Sequence, residues 1–288
     1  ANGSETNGWF LADEIDMRES QAQGLADLQT NRNFNHDGRM TVTNYGKGVE
    51  FWKNDQDAAA YVNFPTDVVS ADTYFFTDRN IAGSSECQVD PGTIKLNGCR
   101  DAANYGWNVD RLRKLDAMDG VRKPIWAIVE VGWPFANGTR AITPAEIRGA
   151  VWAAIIAGAR GIIYFNHSFG GPCPSQHVLR EPCYAAERAM VTSVNAQITR
   201  LAPVLNSPTD PTSTTASTGI RTMTKVYNGT HYVFADSSDG NGHDATFTVP
   251  SGTVATVEGE NRTIPISGGQ FADSFADGNA IHIYRIDD

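Results

Sequence analysis

Two glutamates in this chain stand where the end of a buried strand could present a carboxylate for chemistry. Glu130 ends an apolar run that begins at Lys123 and is followed within four residues by glycine, tryptophan and proline. A run that is apolar on both alternations is typical of a strand buried on both faces of a parallel sheet, and such sheets carry their chemistry at the carboxyl ends of the strands. Glu14 ends a shorter apolar segment, residues 9–14. We predict that both are catalytic; the alternative is an ion-paired or solvated glutamate at each strand end.

The ends of the other predicted strands supply polar and aromatic side chains. The candidate substrate-binding residues are Trp9, Asp13, Asn44, Tyr45, Asp72, Tyr74, Trp133, Tyr164, Asn166 and His167. Two carboxylates, hydrogen-bonding groups and aromatic rings at one rim fit glycoside hydrolysis: one acid protonates the leaving oxygen, the other attacks, and rings stack on sugar faces. Taken singly, Tyr164 or Asp72 could hydrogen-bond within the sheet, and His167 could satisfy a loop carbonyl.

These residues are positioned by an alternation of strands and helices that recurs five times. The predicted strands are residues 9–14, 39–45, 67–72, 123–130 and 160–165, and the predicted helices are 17–35, 56–61, 107–118, 143–158 and 184–200. Such an alternation predicts parallel strands with helices outside them. Five units fit either an open doubly wound sheet or part of a (β/α)₈ barrel. No Gly-x-Gly-x-x-Gly turn supports a dinucleotide-binding fold.

The character of the sequence changes after residue 200. A Ser/Thr/Pro-rich linker covers residues 209–218, and short alternating segments separated by turns such as Asn228-Gly229 follow it. This pattern predicts a small antiparallel β-sandwich. We therefore predict two domains, residues 1–205 and 206–288.

The composition restricts the partners. The 23 basic and 33 acidic residues give a net charge of −10, which argues against a nucleic acid or an anionic membrane surface as partner. No apolar run approaches the roughly 20 residues that span a bilayer. An oligo- or polysaccharide suits an acidic protein, although charge alone cannot select it. The sequence predicts no cofactor and no metal ion.

Four cysteines form two close pairs, Cys87 with Cys99 and Cys173 with Cys183. Short local pairs in loops favour two disulfides and a secreted or extracellular protein, virion-associated proteins included. Zinc is the alternative, but neither pair has two-residue spacing and no histidine spacing completes a site.

Four of these segments resemble a known superfamily. Residues 8–14, 70–74, 126–130 and 158–165 are similar to strands four, six, seven and eight of retaining (β/α)₈ glycoside hydrolases, especially β-galactosidase-like and cellulase-like actinobacterial and phage proteins. The resemblance covers residues 8–200. It implies that Glu14 is the acid/base, that Glu130 is the nucleophile, and that Tyr74 hydrogen-bonds to Glu130. It also implies carboxyl groups about 5–5.5 Å apart, with Glu14 in a less polar setting beside Trp9 or Trp133.

The chain departs from that pattern in two ways. Asp13 stands where many members have asparagine, and its charge would tend to raise the pKa of Glu14. Strands one to three are missing, since only nine residues precede Phe10, where the barrel's unit length requires roughly a hundred. We therefore expect the fold to be the C-terminal portion of the barrel, strands four to eight. We expect its partner to be the missing N-terminal segment, on the same precursor or another chain.

Three functions are compatible with these residues. The first is a retaining glycoside hydrolase that cleaves a polysaccharide by a two-glutamate double displacement. The second is a non-catalytic carbohydrate-binding or receptor-recognition protein, such as a phage tail component, built on the same barrel. The third is a structural scaffold whose β domain makes the contacts. The pair Glu14 and Glu130 favours the first, because binding alone does not need two opposed carboxylates.

Overall fold

The computed structural model describes residues 7–18, 20–34, 38–81, 99–211 and 213–287. Its first part contains one sheet of five parallel strands. These are β1 Gly8–Asp13, β2 Met40–Tyr45, β3 Val68–Ala71, β4 Ile125–Glu130 and β5 Gly161–Phe165. All five coincide with strands predicted from the sequence.

Helices connect these strands, and the last helix follows β5. They are α1 Ile15–Arg18, α2 Gln21–Asn33, α3 Asp55–Val62, α4 Ala103–Asp116, α5 Pro144–Ile156 and α6 Ala185–Leu205. The single helix predicted for residues 17–35 is replaced by α1 and α2, because the Ser20 side chain accepts the Gln23 N–H and starts a new helix. No helix in the described part of the chain is long and apolar enough to cross a membrane.

The strand order decides between the two predicted sheet types. The strands lie in the order β1-β2-β3-β4-β5, so each neighbours the next one along the chain. A doubly wound sheet reverses its order at a switch point, whereas a barrel adds strands in one direction. The sheet is therefore an arc of a barrel. Within the described residues its outer strands, β1 and β5, each pair on one side only.

The two faces of the sheet have different roles. Val69, Ala127 and Val129 pack into the core shared with the helices. Because successive residues of a strand point to opposite faces, Ser70 and Glu130 face the inside of the arc. The inner face thus presents polar side chains at the carboxyl ends of the strands.

The start of α5 is fixed by a local hydrogen-bond motif. Thr143 accepts the Glu146 N–H at 3.3 Å, and the Glu146 carboxylate accepts the Thr143 N–H at 2.8 Å, which is a capping box with proline at the first helical position.

One predicted disulfide is present. Cys173 and Cys183 are bonded and close the loop that follows β5, as the sequence predicts. The other predicted pair includes Cys87, which lies outside the described residues.

The chain after α6 is antiparallel. Its strands are β6 Thr215–Ala216, β7 Ile220–Tyr227, β8 Thr230–Ser237, β9 His243–Thr248, β10 Val254–Val257, β11 Arg262–Pro265, β12 Gln270–Phe275 and β13 Ile281–Asp287. They form a five-stranded sheet, β11-β10-β13-β8-β7, and a three-stranded sheet, β12-β9-β6. Both sheets contribute aromatic residues to one apolar cluster, Phe247 and Phe271 from one and Tyr284 from the other. The boundary at residue 205 stays a prediction.

The antiparallel part packs on the helices that surround the parallel sheet. Trp152 of α5 is fully buried, stacks on Phe234 of β8 with ring centroids 5.8 Å apart, and donates its indole N–H to Gln197 of α6 at 3.2 Å. Arg221 of β7 crosses α4 at Gly106, where any added Cβ would overlap the guanidinium. The junction therefore combines apolar and ionic contacts.

Replacing Trp152 with alanine should destabilise the whole protein. The substitution removes the largest fully buried side chain at the junction and leaves a cavity, so we expect the free energy of unfolding to fall by about 3–5 kcal/mol. Urea denaturation followed by tryptophan fluorescence and circular dichroism measures it. Trp52→Ala is the control, because that side chain is 53% exposed and its loss should cost less than about 1 kcal/mol. Equal midpoints for the two variants would contradict the packing described.

Candidate active site

Asn44 lies at the centre of a polar network on the inner face of the sheet. Its amide donates to Asp13 at 3.0 Å and to Asp72 at 2.7 Å, and its carbonyl oxygen accepts the Ser70 hydroxyl at 2.8 Å. With both ends of the amide engaged and 1% of the residue exposed, the side chain has a single orientation. The network therefore holds Asp13 and Asp72 at fixed positions at the carboxyl ends of β1 and β3.

Asp72 is the second member of that network. The Tyr74 hydroxyl donates to its other carboxylate oxygen at 2.8 Å. Burial, and after it the nearby charge of Glu14, raises the pKa of Asp72 to about 8 despite the donors Tyr74 and Asn44. Burial thus favours the protonated form of Asp72, and the two donors favour the ionised form.

Glu14 follows β1 with an unusual backbone. Its φ of 51° lies in the left-handed region, which costs a non-glycine residue on the order of 1 kcal/mol or more. The side chain is 31% exposed, and the Arg18 guanidinium lies 3.7 Å from its carboxylate. Burial, followed by the charge of Asp13, raises the pKa of Glu14. The turn thus presents a partly accessible carboxyl group whose protonated form is favoured.

Glu130, the last residue of β4, is completely buried. One carboxylate oxygen accepts the Phe76 N–H at 2.8 Å and the Tyr105 hydroxyl at 2.7 Å, and the other accepts the Thr77 hydroxyl. Burial outweighs these three donors and raises the pKa of Glu130 to about 7. The group is therefore close to half ionised at neutral pH, as is common at catalytic sites.

Tyr74 contacts Asp72 rather than the predicted Glu130. The predicted hydrogen bond from Tyr74 to Glu130 is wrong, because the phenol donates to Asp72 and Tyr105 of α4 occupies its place on Glu130. Burial raises the pKa of Tyr74 well above its usual value, and the charges of Asp72, Glu14 and Glu130 all add to the effect. The Tyr74 hydroxyl thus donates to Asp72, and the charges of Glu14 and Glu130 also favour its neutral form.

Four of the predicted substrate-binding residues make contacts elsewhere. Trp9 packs against the core on the helix side of the sheet. The Tyr45 hydroxyl donates to the Tyr61 carbonyl at 2.6 Å, and the Tyr164 hydroxyl donates to Asn195 of α6 at 2.9 Å. The side-chain oxygen of the fourth, Asn166, accepts the Leu179 backbone N–H at 2.8 Å. Trp9, Tyr45 and Tyr164 face the helices because their strand neighbours face inward.

Two other predicted residues lie on the loops beside the carboxyl groups. The Trp133 backbone N–H donates to the Ser168 hydroxyl at 2.7 Å, and the Trp133 ring covers Gly171. His167 stacks between Phe165 and Phe169. The loop after β4 also contributes Phe135, whose ring meets that of Tyr74 edge-on at 5.6 Å.

Several buried groups around these carboxyls were not predicted from the sequence. Glu50, in a π-helical turn Gly48–Trp52, is 3% exposed and accepts the Thr73 hydroxyl. Burial, followed by the charge of Asp72, raises its pKa well above the usual value. Tyr105 and Thr77 were also missed. Thr77 follows the aromatic run at Tyr74 directly, and a hydroxyl at that position is a signal that could have been used.

Within the part of the chain that the structure describes, no three His, Cys, Asp or Glu side chains are grouped so that they could hold a metal ion.

Removing the Tyr105 hydroxyl should change the titration of Glu130. A hydrogen bond to a charged group contributes about 1.5–3 kcal/mol, so Tyr105→Phe should raise the pKa of Glu130 further, by about one pH unit or more. The phenyl ring can keep its contacts with Phe75 and Phe76. Carboxyl ¹³C chemical shifts of labelled glutamate measure the pKa. Tyr45→Phe, which alters another fully buried tyrosine, is the control and should leave the pKa of Glu130 unchanged. Equal changes in that pKa for the two variants would show that the Tyr105 hydroxyl does not stabilise the Glu130 carboxylate.

The comparisons with known proteins show the fold. No family model and no curated protein matches the chain. Among solved structures, an α-amylase from Geobacillus thermoleovorans complexed with acarbose is 9% identical with a TM-score of 0.55, covering 99% of this chain and 61% of its own. A GH30 endoxylanase from Clostridium papyrosolvens is 13% identical with a TM-score of 0.51, covering 99% of this chain and 67% of its own. Amy13B of Eubacterium rectale is similar, with 11% identity and a TM-score of 0.52, at 98% and 60% coverage.

The chain therefore shares the fold of these structures: a curled half of a barrel followed by antiparallel sheets. It spans about three fifths of the length of the amylases that it matches.

Proposed function

We propose that this protein is a retaining glycoside hydrolase that cleaves the O-glycosidic bonds of a polysaccharide, with Glu14 as acid/base and Glu130 as nucleophile. The observation that carries the proposal is that Glu14, Asp72 and Glu130 lie at the carboxyl ends of three parallel strands, where the charge of each raises the pKa of the Tyr74 phenol. The glycoside hydrolase fold supports it independently.

The mechanism assigns one task to each glutamate. The Glu130 carboxylate attacks the anomeric carbon while Glu14 gives its proton to the departing glycosidic oxygen, so that a covalent glycosyl–enzyme and a free sugar hydroxyl form. Glu14, now ionised, takes a proton from water, which attacks the same carbon and releases Glu130. The raised pKa of Glu14 suits a proton donor. The three donors on Glu130 favour the ionised form that must attack, but burial opposes it and raises the pKa of Glu130 to about 7.

The burial of Glu130 adds a condition to this mechanism. Phe76 and Thr77 cover its carboxylate, so the turn that carries them must shift for a sugar to reach it. The separation of about 5–5.5 Å between the Glu14 and Glu130 carboxyl groups stays a prediction of the retaining mechanism.

We further propose that protein outside the five strands completes the barrel. Barrels of this class close with eight strands, and the described sheet has five with two outer strands. The remaining strands come from the same precursor or from a second chain. A secreted or extracellular location fits the Cys173–Cys183 disulfide.

A second function is favoured by one observation. Because Glu130 has no exposed surface, the chain could bind carbohydrate without cleaving it, as a carbohydrate-binding or receptor-recognition protein would.

The experiment that separates the two functions is a hydrolysis screen. The protein is incubated with aryl glycosides and with soluble starch, xylan and hydroxyethyl cellulose, and the anomer formed first is identified by ¹H NMR. Release of product with the substrate's own anomeric configuration supports the retaining mechanism. An inverted first product would contradict it, and binding to a polysaccharide without any product would support the second function.

A further inference from the structure

Phe169 has a large apolar side chain that is exposed to solvent. It follows β5 in the loop that lies beside Trp133 and is 56% exposed. Burying a phenylalanine side chain stabilises a protein, so an exposed phenylalanine forgoes that stabilisation. An exposed ring of this kind at the rim of a candidate active site indicates a ligand contact when its loop is rigid and its neighbours lead to the site.

The loop that carries Phe169 is braced on every side. Ser168, 1% exposed, exchanges backbone hydrogen bonds with Ser175 at 2.8 and 3.0 Å, and its hydroxyl contacts Tyr184 at 2.9 Å. The Phe169 N–H donates to the Trp133 carbonyl at 3.1 Å. The disulfide Cys173–Cys183 closes the same loop. The ring is therefore held in place before any ligand arrives, which lowers the entropic cost of binding.

Phe169 is also the outermost of four aromatic rings in successive contact. Its centroid lies 3.9 Å from that of His167, which lies 6.1 Å from Phe165, which lies 4.8 Å from Tyr74. Successive planes differ by 21°, 20° and 36°, so the two outer contacts are stacked and the inner one, between Phe165 and Tyr74, is tilted. The inner end of the stack is the phenol that donates to Asp72. The stack therefore runs without interruption from the carboxyl groups to the exposed face of Phe169.

We propose that Phe169, backed by His167, is a stacking platform for a pyranose ring at least one sugar unit away from the bond that is cleaved. A flat aromatic face with negative π density attracts the C–H groups on the apolar face of a sugar, and it needs no charge on the ligand. The ligand is thus a neutral oligo- or polysaccharide that extends past the loop after β5, rather than a single glycoside. This inference rests on the site of the proposed function, which it extends.

The test compares Phe169→Ala with Phe34→Ala. Phe34, at the end of α2, is 78% exposed and makes no ring contact with this site, so its loss controls for removal of an exposed phenyl group. Affinity electrophoresis in gels that contain soluble starch, xylan or hydroxyethyl cellulose measures dissociation constants from the retardation. We expect at least one polysaccharide to retard the wild-type protein, and we expect Phe169→Ala to weaken that binding about tenfold. Phe34→Ala should bind like the wild type.

The outcomes separate this proposal from the hydrolase assignment. Retardation that depends on Phe169 without hydrolysis would keep the platform and remove the enzyme. Hydrolysis of aryl glycosides together with unchanged polysaccharide binding in Phe169→Ala would keep the enzyme and overturn the platform. No retardation in any gel would also overturn it. So would a Phe169→Ala variant that binds normally but unfolds at lower urea than Phe34→Ala, since protein rather than sugar would then cover the ring.

Discussion

Glu130→Gln is expected to abolish hydrolysis and, at the same time, to stabilise the protein at alkaline pH. A carboxamide cannot form the glycosyl ester, so turnover should fall by about 10⁴-fold or more on every substrate. The substitution keeps the size and shape of the side chain. Its oxygen can still accept the Phe76 N–H and the Tyr105 hydroxyl, and its NH₂ group can donate to Thr77. Polysaccharide binding should therefore be retained.

The stability gain follows from the raised pKa of Glu130. Burial raises that pKa from 4.5 to about 7, so the folded state holds a proton that the unfolded state has already released between those pH values. The free energy of unfolding due to this group therefore falls as pH rises from 4.5 to about 7 and stays low above it. Glutamine has no such loss. The variant should gain up to about 3 kcal/mol relative to the wild type at pH 8, and close to none of that gain at pH 4.

Urea denaturation of both proteins at pH 4, 6 and 8 measures this difference. Glu187→Gln is the control, since Glu187 lies half-exposed in the first turn of α6. It removes one glutamate charge without touching the buried site. The expected pattern is a stability difference that grows with pH for Glu130→Gln only. A variant that keeps full activity would end the hydrolase assignment, and a difference that shrinks with pH would show that Glu130 is stabilised as the anion.

The sheet could be predicted because its signals are local. The apolar run before Glu130 is long enough to mark a buried strand, and the Thr143–Glu146 pair marks the start of α5. The antiparallel part was harder. The strand Arg262–Pro265 is polar and carries a proline, so nothing in its composition distinguishes it from a turn. The break between α1 and α2 depends on one serine side chain.

The candidate site was predicted less completely, for two reasons. Strand periodicity limits which neighbours can share a face, so Asn44 and Tyr45 could not both face the cleft, and taking both placed one of them wrongly. Contacts between distant segments leave no local signal. Tyr105 reaches Glu130 from a helix 25 residues earlier in the chain, and no spacing rule relates the two residues.

Glu14→Gln is expected to slow hydrolysis in proportion to how much the leaving group needs a proton. General acid catalysis contributes about 10²–10⁴-fold, so substrates with poor leaving groups, including polysaccharides, should lose that much. Dinitrophenyl glycosides depart without protonation, so their first step should be nearly unaffected and the glycosyl–enzyme should accumulate. Azide needs no general base, and adding it should restore turnover. Rates measured across a series of aryl glycosides give the leaving-group dependence directly.

Asp72→Asn tests whether Glu14, rather than its neighbour, donates the proton. Asp72 has a pKa of about 8 and lies within electrostatic range of Glu14, so it is the competing acid. Asparagine can keep the contact with Tyr74, because its side-chain oxygen accepts the phenol hydrogen. The substitution also removes the negative charge that Asp72 carries once ionised, which should lower the pKa of Glu14. The alkaline limb of the pH–rate profile reports the catalytic acid, so it should move to lower pH. If Asp72→Asn showed the steep leaving-group dependence and Glu14→Gln did not, the acid would be Asp72. The turn that holds Glu14 at a φ of 51° would then serve substrate binding.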